Sequence, residues 1–120
     1  MRVEVGTDIV NINRINRLID KFGDRFIDRF LDEDEKKLAK KIESIAGFWA
    51  AKEAIAKALG TGIGKELSFL DIKIEKDIKN KPYFKICKKN FNIISSSISI
   101  SHDSSFAIAT AVVVMKGNNE

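Results

Sequence analysis

Residues 44–59 read SIAGFWAAKEAIAKAL, and Gly60 follows. On a helix turning ~100° per residue, Ala46, Phe48, Trp49, Ala51, Ala54, Ile55, Ala58 and Leu59 cover most of the circumference. A helix that is apolar nearly all round is stable only when surrounded. The segment therefore predicts a central, buried helix, stopped by Gly60 in the role of a C-terminal glycine. Lys52, Glu53 and Lys57 interrupt its apolar surface, and a charge that is buried needs a partner or a purpose.

The rest of the chain has to wrap that helix. Val3, Val5, Thr7 and Ile9 alternate with Glu4, Gly6 and Asp8, the period of a strand. Asn11 is placed to cap a helix running to about Phe22 and closed by Gly23, with Ile12, Ile15, Ile19 and Phe22 as its apolar stripe. A short helix is predicted over residues 25–31, and Asp32 with Glu35 forms a capping-box start for another. The second half reads as strands. Leu70, Ile72 and Ile74 alternate with charged residues, residues 79–82 form a turn, and residues 83–87 return as a hairpin. Residues 97–101 alternate serine with isoleucine. Residues 106–115 are apolar on both faces, with Ala107, Ala109 and Ala111 on one of them, as in a central strand against which something packs closely. A strand, then helices, then antiparallel strands predicts an α+β fold in which an antiparallel sheet packs on a central helix. At 120 residues, with no repeat and only Pro82 as a proline, residues 1–120 read as one domain.

Several function classes are excluded at this stage. No apolar run reaches the ~18 residues of a membrane span; residues 106–114 fall short and include Thr110. The first residues lack a signal-peptide pattern. One cysteine, Cys87, and one histidine, His102, leave no disulfide framework and no metal motif built on two histidines; a cytoplasmic location is the expectation. Lys and Arg number 21 against 17 Asp and Glu, a net charge of +4. That balance is too even for a nucleic-acid tail and suits phosphate ligands or an acidic protein partner.

Two familiar patterns fail on their spacing. The run Gly60-Thr61-Gly62-Ile63-Gly64-Lys65 has Leu59 and Glu66 where a Walker loop needs Gly and Ser or Thr. Ser101-His102-Asp103 is no catalytic triad, because neighbours on an extended segment point to opposite faces. Two carboxylates remain. Asp8 is either a helix cap or strand end, or an oxygen ligand for a hard cation. Glu53 stands four residues before Lys57, the spacing of an ion pair worth ~0.3–0.5 kcal/mol if exposed; buried, it requires a function. On the first helix Arg14, Arg17, Leu18, Lys21 and, if the phase continues, Arg25 share a stripe. That stripe is either a solvated face or a docking face for an acidic helix.

Three segments together resemble a known family. Gly6-Thr7-Asp8-Ile9-Val10, the stretch from Phe48 through Trp49-Ala50-Ala51-Lys52-Glu53-Ala54 to Lys57-Ala58-Leu59-Gly60-Thr61-Gly62-Ile63-Gly64, and Ile100-Ser101-His102-Asp103 are similar to the small bacterial 4′-phosphopantetheinyl transferases of the holo-[acyl-carrier-protein] synthase type. The resemblance implies transfer of 4′-phosphopantetheine from coenzyme A to a serine of apo-acyl carrier protein, giving holo-carrier protein for fatty acid biosynthesis and 3′,5′-ADP. It implies Mg²⁺ held by Asp8 and Glu53, with Glu53 or a metal-bound water as base. Lys57 then acts on the pyrophosphate and leaving group, and Gly60, Gly62, Ser101 and His102 contact coenzyme A. Arg14 docks the carrier protein, with Arg17, Lys21 and Arg25 as extensions of that face. The family fold is an α+β homotrimer with sites between subunits, and residues 106–114 are the candidate trimer core. Two departures stand out. Phe48 occupies a position where many members carry an Arg for a coenzyme A phosphate, with Lys40, Lys41 or Lys65 as candidate substitutes, and Asn80 stands where Gly is usual in the hairpin turn. The alternative from another class is a basic, non-catalytic module that binds an acidic protein or nucleic acid.

Overall fold

A computed structural model of the chain describes residues 1–117. In chain order the elements are β1 (Arg2–Asn11), α1 (Ile12–Phe22), α2 (Asp24–Ile27), α3 (Glu33–Leu38), α4 (Ile42–Ala58), a 3₁₀ turn (Phe69–Asp71), β2 (Ile72–Lys76), β3 (Pro82–Ile86), β4 (Ile93–His102) and β5 (Phe106–Met115). The fold is α+β. Strands β1, β5 and β4 form an antiparallel sheet with β5 in the middle, and β2 and β3 form a separate hairpin. Helix α4 lies across the three-stranded sheet and is the core of the molecule, with Ala46, Ala50, Ala51, Ala54, Ile55 and Ala56 fully buried.

The approach of α4 to the sheet is set by small residues on both sides. A Cβ built on Gly6 would stand 1.9 Å from the Ala54 carbonyl oxygen and 2.6 Å from the Ala58 nitrogen. No side chain fits there, so only glycine lets β1 pass under the last turns of the helix. At the other end Gly47 faces the Ile100 side chain, 2.8 Å from where a Cβ would be. Between these points Ala107, Ala109 and Ala111 of β5 are buried beneath the helix.

The same strands turn a different face outward. Val3, Val5 and Ile9 are 63%, 61% and 61% exposed, and Phe106 and Ile108 are exposed as well. The alternation that predicts β1 is therefore real, but its large apolar residues point away from α4, and Gly6 and Val10 point toward it. In register, Val3 lies beside Val114, Val5 beside Val112, Thr7 beside Thr110 and Ile9 beside Ile108. On β4 the row continues with Ser95, Ser97, Ser99 and Ser101 opposite the same β5 residues.

Element boundaries differ from the sequence expectation in physically simple ways. Asn11 does cap α1, its side chain accepting from the Arg14 N–H, and Gly23 closes it with φ +62°. Phe22, expected on the apolar stripe, is exposed, because the chain turns at Gly23 before anything covers it. Helix α2 ends at Ile27 and gives way to turns, rather than running to Leu31. The Asp32–Glu35 capping box is present in both directions. Helix α4 starts at Ile42, two residues earlier than the apolar pattern suggests. Leu70 belongs to the 3₁₀ turn rather than to β2, Cys87 lies just beyond β3, and β4 extends back to Ile93. Asn80 adopts φ +67° at the hairpin turn, a left-handed conformation asparagine tolerates.

Candidate active site

Asp8 is on the α4-facing side of β1, two residues after the glycine that lets the helix come close. Glu53 and Lys57 are one turn apart on α4 itself. The Lys57 ammonium donates to the Asp8 carboxylate at 3.0 Å and to the Thr7 carbonyl, also at 3.0 Å. The ion pair suggested by the Glu53–Lys57 spacing is thus replaced by one that ties the helix to the strand. Glu53 is held above the usual carboxylate range, first by burial and then by the Asp8 charge; Lys57 and Arg14 oppose the shift. The two carboxylates are close enough to repel, and the Lys57 ammonium bonded to one of them ties helix to strand.

Among the described residues no group of three or more His, Cys, Asp or Glu side chains is arranged to hold a metal ion. Two carboxylates alone do not make a protein cage for calcium or zinc. They do fit Mg²⁺, which keeps several waters and commonly takes one or two carboxylates, completed by substrate phosphates.

The glycine loop leaves α4 through a Schellman closure. The Thr61 N–H reaches the Ala56 carbonyl at 3.2 Å and the Gly60 N–H reaches the Lys57 carbonyl at 3.0 Å. Gly60 and Gly62 have φ of +80° and +62°, which explains glycine at both. Their N–H groups, with that of Gly64, donate within the loop and helix end. Lys88 fastens the loop from outside, donating to the Glu66 carbonyl at 2.9 Å and pairing with Asp71.

His102 is elsewhere. It ends β4 and lines two adjoining cavities, one with Lys41, Glu43, Ser44, Asp103 and Ser104, the other with Phe48, Lys76, Asn80, Pro82 and Ile100. Asp103 caps the turn that follows, accepting from the N–H groups of Ser105 and Phe106 at 2.7 Å each, which lowers its pKa. Ser101 faces outward with the other serines. Neither cavity is lined by Asp8, Glu53 or Lys57. Of the candidate substitutes for an Arg at position 48, only Lys41 lines a cavity beside His102; Lys65 is on the far loop held by Lys88. Lys76, Asn80 and Pro82 were missed in the sequence. Their signal was weak: a lysine and a turn, with no pattern tying them to His102.

The basic stripe of α1 is partly a groove wall. Arg14, Leu18, Phe22 and Arg25 line a groove with Phe26, Asp28, Arg29 and Trp49. Arg17 and Lys21 are exposed but do not line it. Trp49 and Phe26 supply an aromatic floor, their rings stacked at 5.7 Å. Trp49 in its lining stands one turn before Glu53 on α4.

The chain is similar to known proteins at two levels. A profile of the 4′-phosphopantetheinyl transferase superfamily matches residues 4–111, and the chain belongs to that superfamily. Within it the chain is similar, over nearly its whole length, to proteins named holo-[acyl-carrier-protein] synthase. That of Helicobacter pylori is 54% identical over 120 residues, covering 97% of this chain and 99% of the relative. That of Campylobacter curvus is 58% identical over 112 residues, covering 91% and 98%. The crystal structure of the Helicobacter pylori enzyme in complex with coenzyme A superposes with a TM-score of 0.89 over 92% of this chain and 99% of that one. The Bacillus anthracis enzyme, solved with CoA (3′,5′-ADP), is 42% identical with a TM-score of 0.80, covering 94% and 96%.

Proposed function

We propose that this chain transfers 4′-phosphopantetheine from coenzyme A to a serine of apo-acyl carrier protein, releasing 3′,5′-ADP. The observation that carries the reading is the Asp8–Glu53–Lys57 constellation, whose Glu53 and Lys57 stand on the same helix that floors a basic groove with Trp49. A non-catalytic basic module has no use for two mutually repelling carboxylates.

In this reading the serine oxygen attacks the phosphorus that carries pantetheine. The bond from that phosphorus to the bridging oxygen breaks, and the electron pair leaves with 3′,5′-ADP. Glu53 takes the serine proton. Lys57 gives up its bond to Asp8 and donates to the leaving phosphate, a role the loop's engaged N–H groups are not free to fill. Asp8 and Glu53 would hold Mg²⁺, which neutralises pyrophosphate charge when bound. Arg14 and Arg25 receive the acidic carrier protein, with Arg17 and Lys21 adding long-range attraction. Gly60 and Gly62 let coenzyme A approach the backbone, and His102 with Ser101, Lys41 and Lys76 receives its nucleotide end.

The carboxylate group and the His102 cavities are separate within one chain. Their union requires copies of the chain to associate, and the outer apolar face of the sheet is the surface for a homotrimer with a site at each boundary. Residues 1–120 act as one transferase domain, in the cytoplasm, where the holo-carrier protein serves fatty acid biosynthesis.

The test is the intact mass of an apo-acyl carrier protein after incubation with this protein, coenzyme A and Mg²⁺. A gain of one phosphopantetheine is expected. Its rate falls by about 10³-fold or more in Asp8→Ala and Glu53→Ala, and the gain is abolished by EDTA. No gain from folded protein that binds coenzyme A overturns the reading.

A further inference from the structure

The buried charged residues among those described are Lys52 and Glu35, 0% and 1% exposed, and the reaction above uses neither. The Lys52 ammonium has three N–H groups and three acceptors: the Phe30 carbonyl at 2.6 Å, Glu35 Oε1 at 2.9 Å and the Phe69 carbonyl at 3.1 Å. Glu35 is equally saturated, with Oε1 also accepting from the Asp32 N–H at 3.0 Å and Oε2 from the Ile74 N–H at 2.9 Å. Burying such a pair is costly, and an apolar pair of equal volume often stabilises a core as well or better. What ion pair and hydrogen bonds add is position.

The positions fixed are informative. Two of the three acceptors of Lys52 are the carbonyls of Phe30 and Phe69. The rings of those two residues enclose Trp49, with centroids at 5.0 and 4.6 Å. Trp49 and Phe26 form the floor of the groove, and Trp49 stands one turn before Glu53 on α4. The pair thus sits beneath the groove and holds the two backbones that seat its indole.

We propose that Lys52 and Glu35 are positioning residues for the acceptor protein, fixing Phe30 and Phe69 so that Trp49 keeps the groove floor in the shape the carrier protein requires. The proposal rests on the transferase reading. Its test uses the full chain carrying Lys52→Met or Glu35→Gln, assayed with carrier protein and coenzyme A varied in turn. The KM for carrier protein rises about tenfold, while the KM for coenzyme A and kcat stay within about twofold. Trp49 is the sole tryptophan, so its emission shifts to the red in the same variants without any substrate. Val113→Ala, which creates a small cavity in buried β5, lowers Tm and leaves both KM values unchanged. If Lys52→Met does not fold, Glu35→Gln, which preserves side-chain size and one acceptor oxygen, carries the test. Folded variants whose two KM values are unchanged or move in parallel overturn the proposal, as does the same carrier-selective rise in Val113→Ala. If the wild-type protein binds carrier protein but transfers nothing, the transferase reading falls. The positioning role is then decided by whether carrier affinity drops in Lys52→Met and Glu35→Gln while coenzyme A affinity holds.

Discussion

The two faces of the three-stranded sheet are built on opposite rules. The inner face is made of Gly6, Ala107, Ala109 and Ala111, small residues buried against α4. The outer face is made of Val3, Val5, Ile9, Phe106 and Ile108, large residues left exposed. By hydropathy alone the outer face is the better core. With small residues on the inner face, the helix comes close enough for Lys57 to bond Asp8. The outer face is large and apolar without burial in one chain, and a contiguous patch of that kind marks a surface covered by something else.

Gly6→Val should break the inner face outright. The new side chain meets the helix backbone, which cannot yield like a flexible side chain, and a loss of about 3 kcal/mol or more is expected. Thermal unfolding by circular dichroism reads it as a Tm drop of about 10 °C or more. Ile108→Asp on the outer face should leave the helix signal intact and dissociate the oligomer, seen as a fall to monomer mass by light scattering together with loss of transfer. A monomeric wild type, or a mutant that stays assembled, would refute the role given to this face. Lys57→Ala separates stability from chemistry. Its pair with Asp8 involves a half-exposed lysine, so Tm should move by about 2 °C or less while the transfer rate falls by about 10²-fold.

The smallest effect concerns Glu53. Its pKa is raised in the folded protein, so its contribution to stability is most favourable at acid pH and is lost as pH rises through that raised value. Glu53→Gln should therefore raise the Tm of the metal-free protein by about 1–3 °C at pH 7, and the gain should vanish near pH 4. A gain that persists at pH 4 would assign it to packing rather than charge.

Much of this was legible in the sequence. The buried α4, the Asn11 cap, the Asp32–Glu35 box, the hairpin and the close-packed alanines of β5 all follow from local periodicity and capping chemistry. Asp8, Glu53 and Lys57 were legible as a set only through the motif, since residues 8 and 53 have no local relation. The facing of β1 was not legible, because alternation gives two faces and does not say which one the chain covers. The Lys57–Asp8 bond and the Lys52–Glu35 pair were hidden for a related reason: i,i+4 spacing proposes partners within a helix, whereas both lysines find theirs across the fold. On α1 the groove follows Arg14, Leu18 and Phe22 at i, i+4 and i+8 and leaves Arg17 and Lys21 off it, while Arg25 joins it only after the turn at Gly23.

The strand order has a consequence for biosynthesis. β5 is the middle strand of the sheet and comes last among the described elements, and its pairing with β1 joins Arg2 to Met115. Until residues 106–115 have left the ribosome, β1 has no partner and α4 no platform. A growing chain must carry β1 unpaired, and the alanine-rich helix after it, while about a hundred further residues are added. Folding then waits on a nonlocal pairing, which slows it, and leaves apolar segments open to aggregation in the meantime.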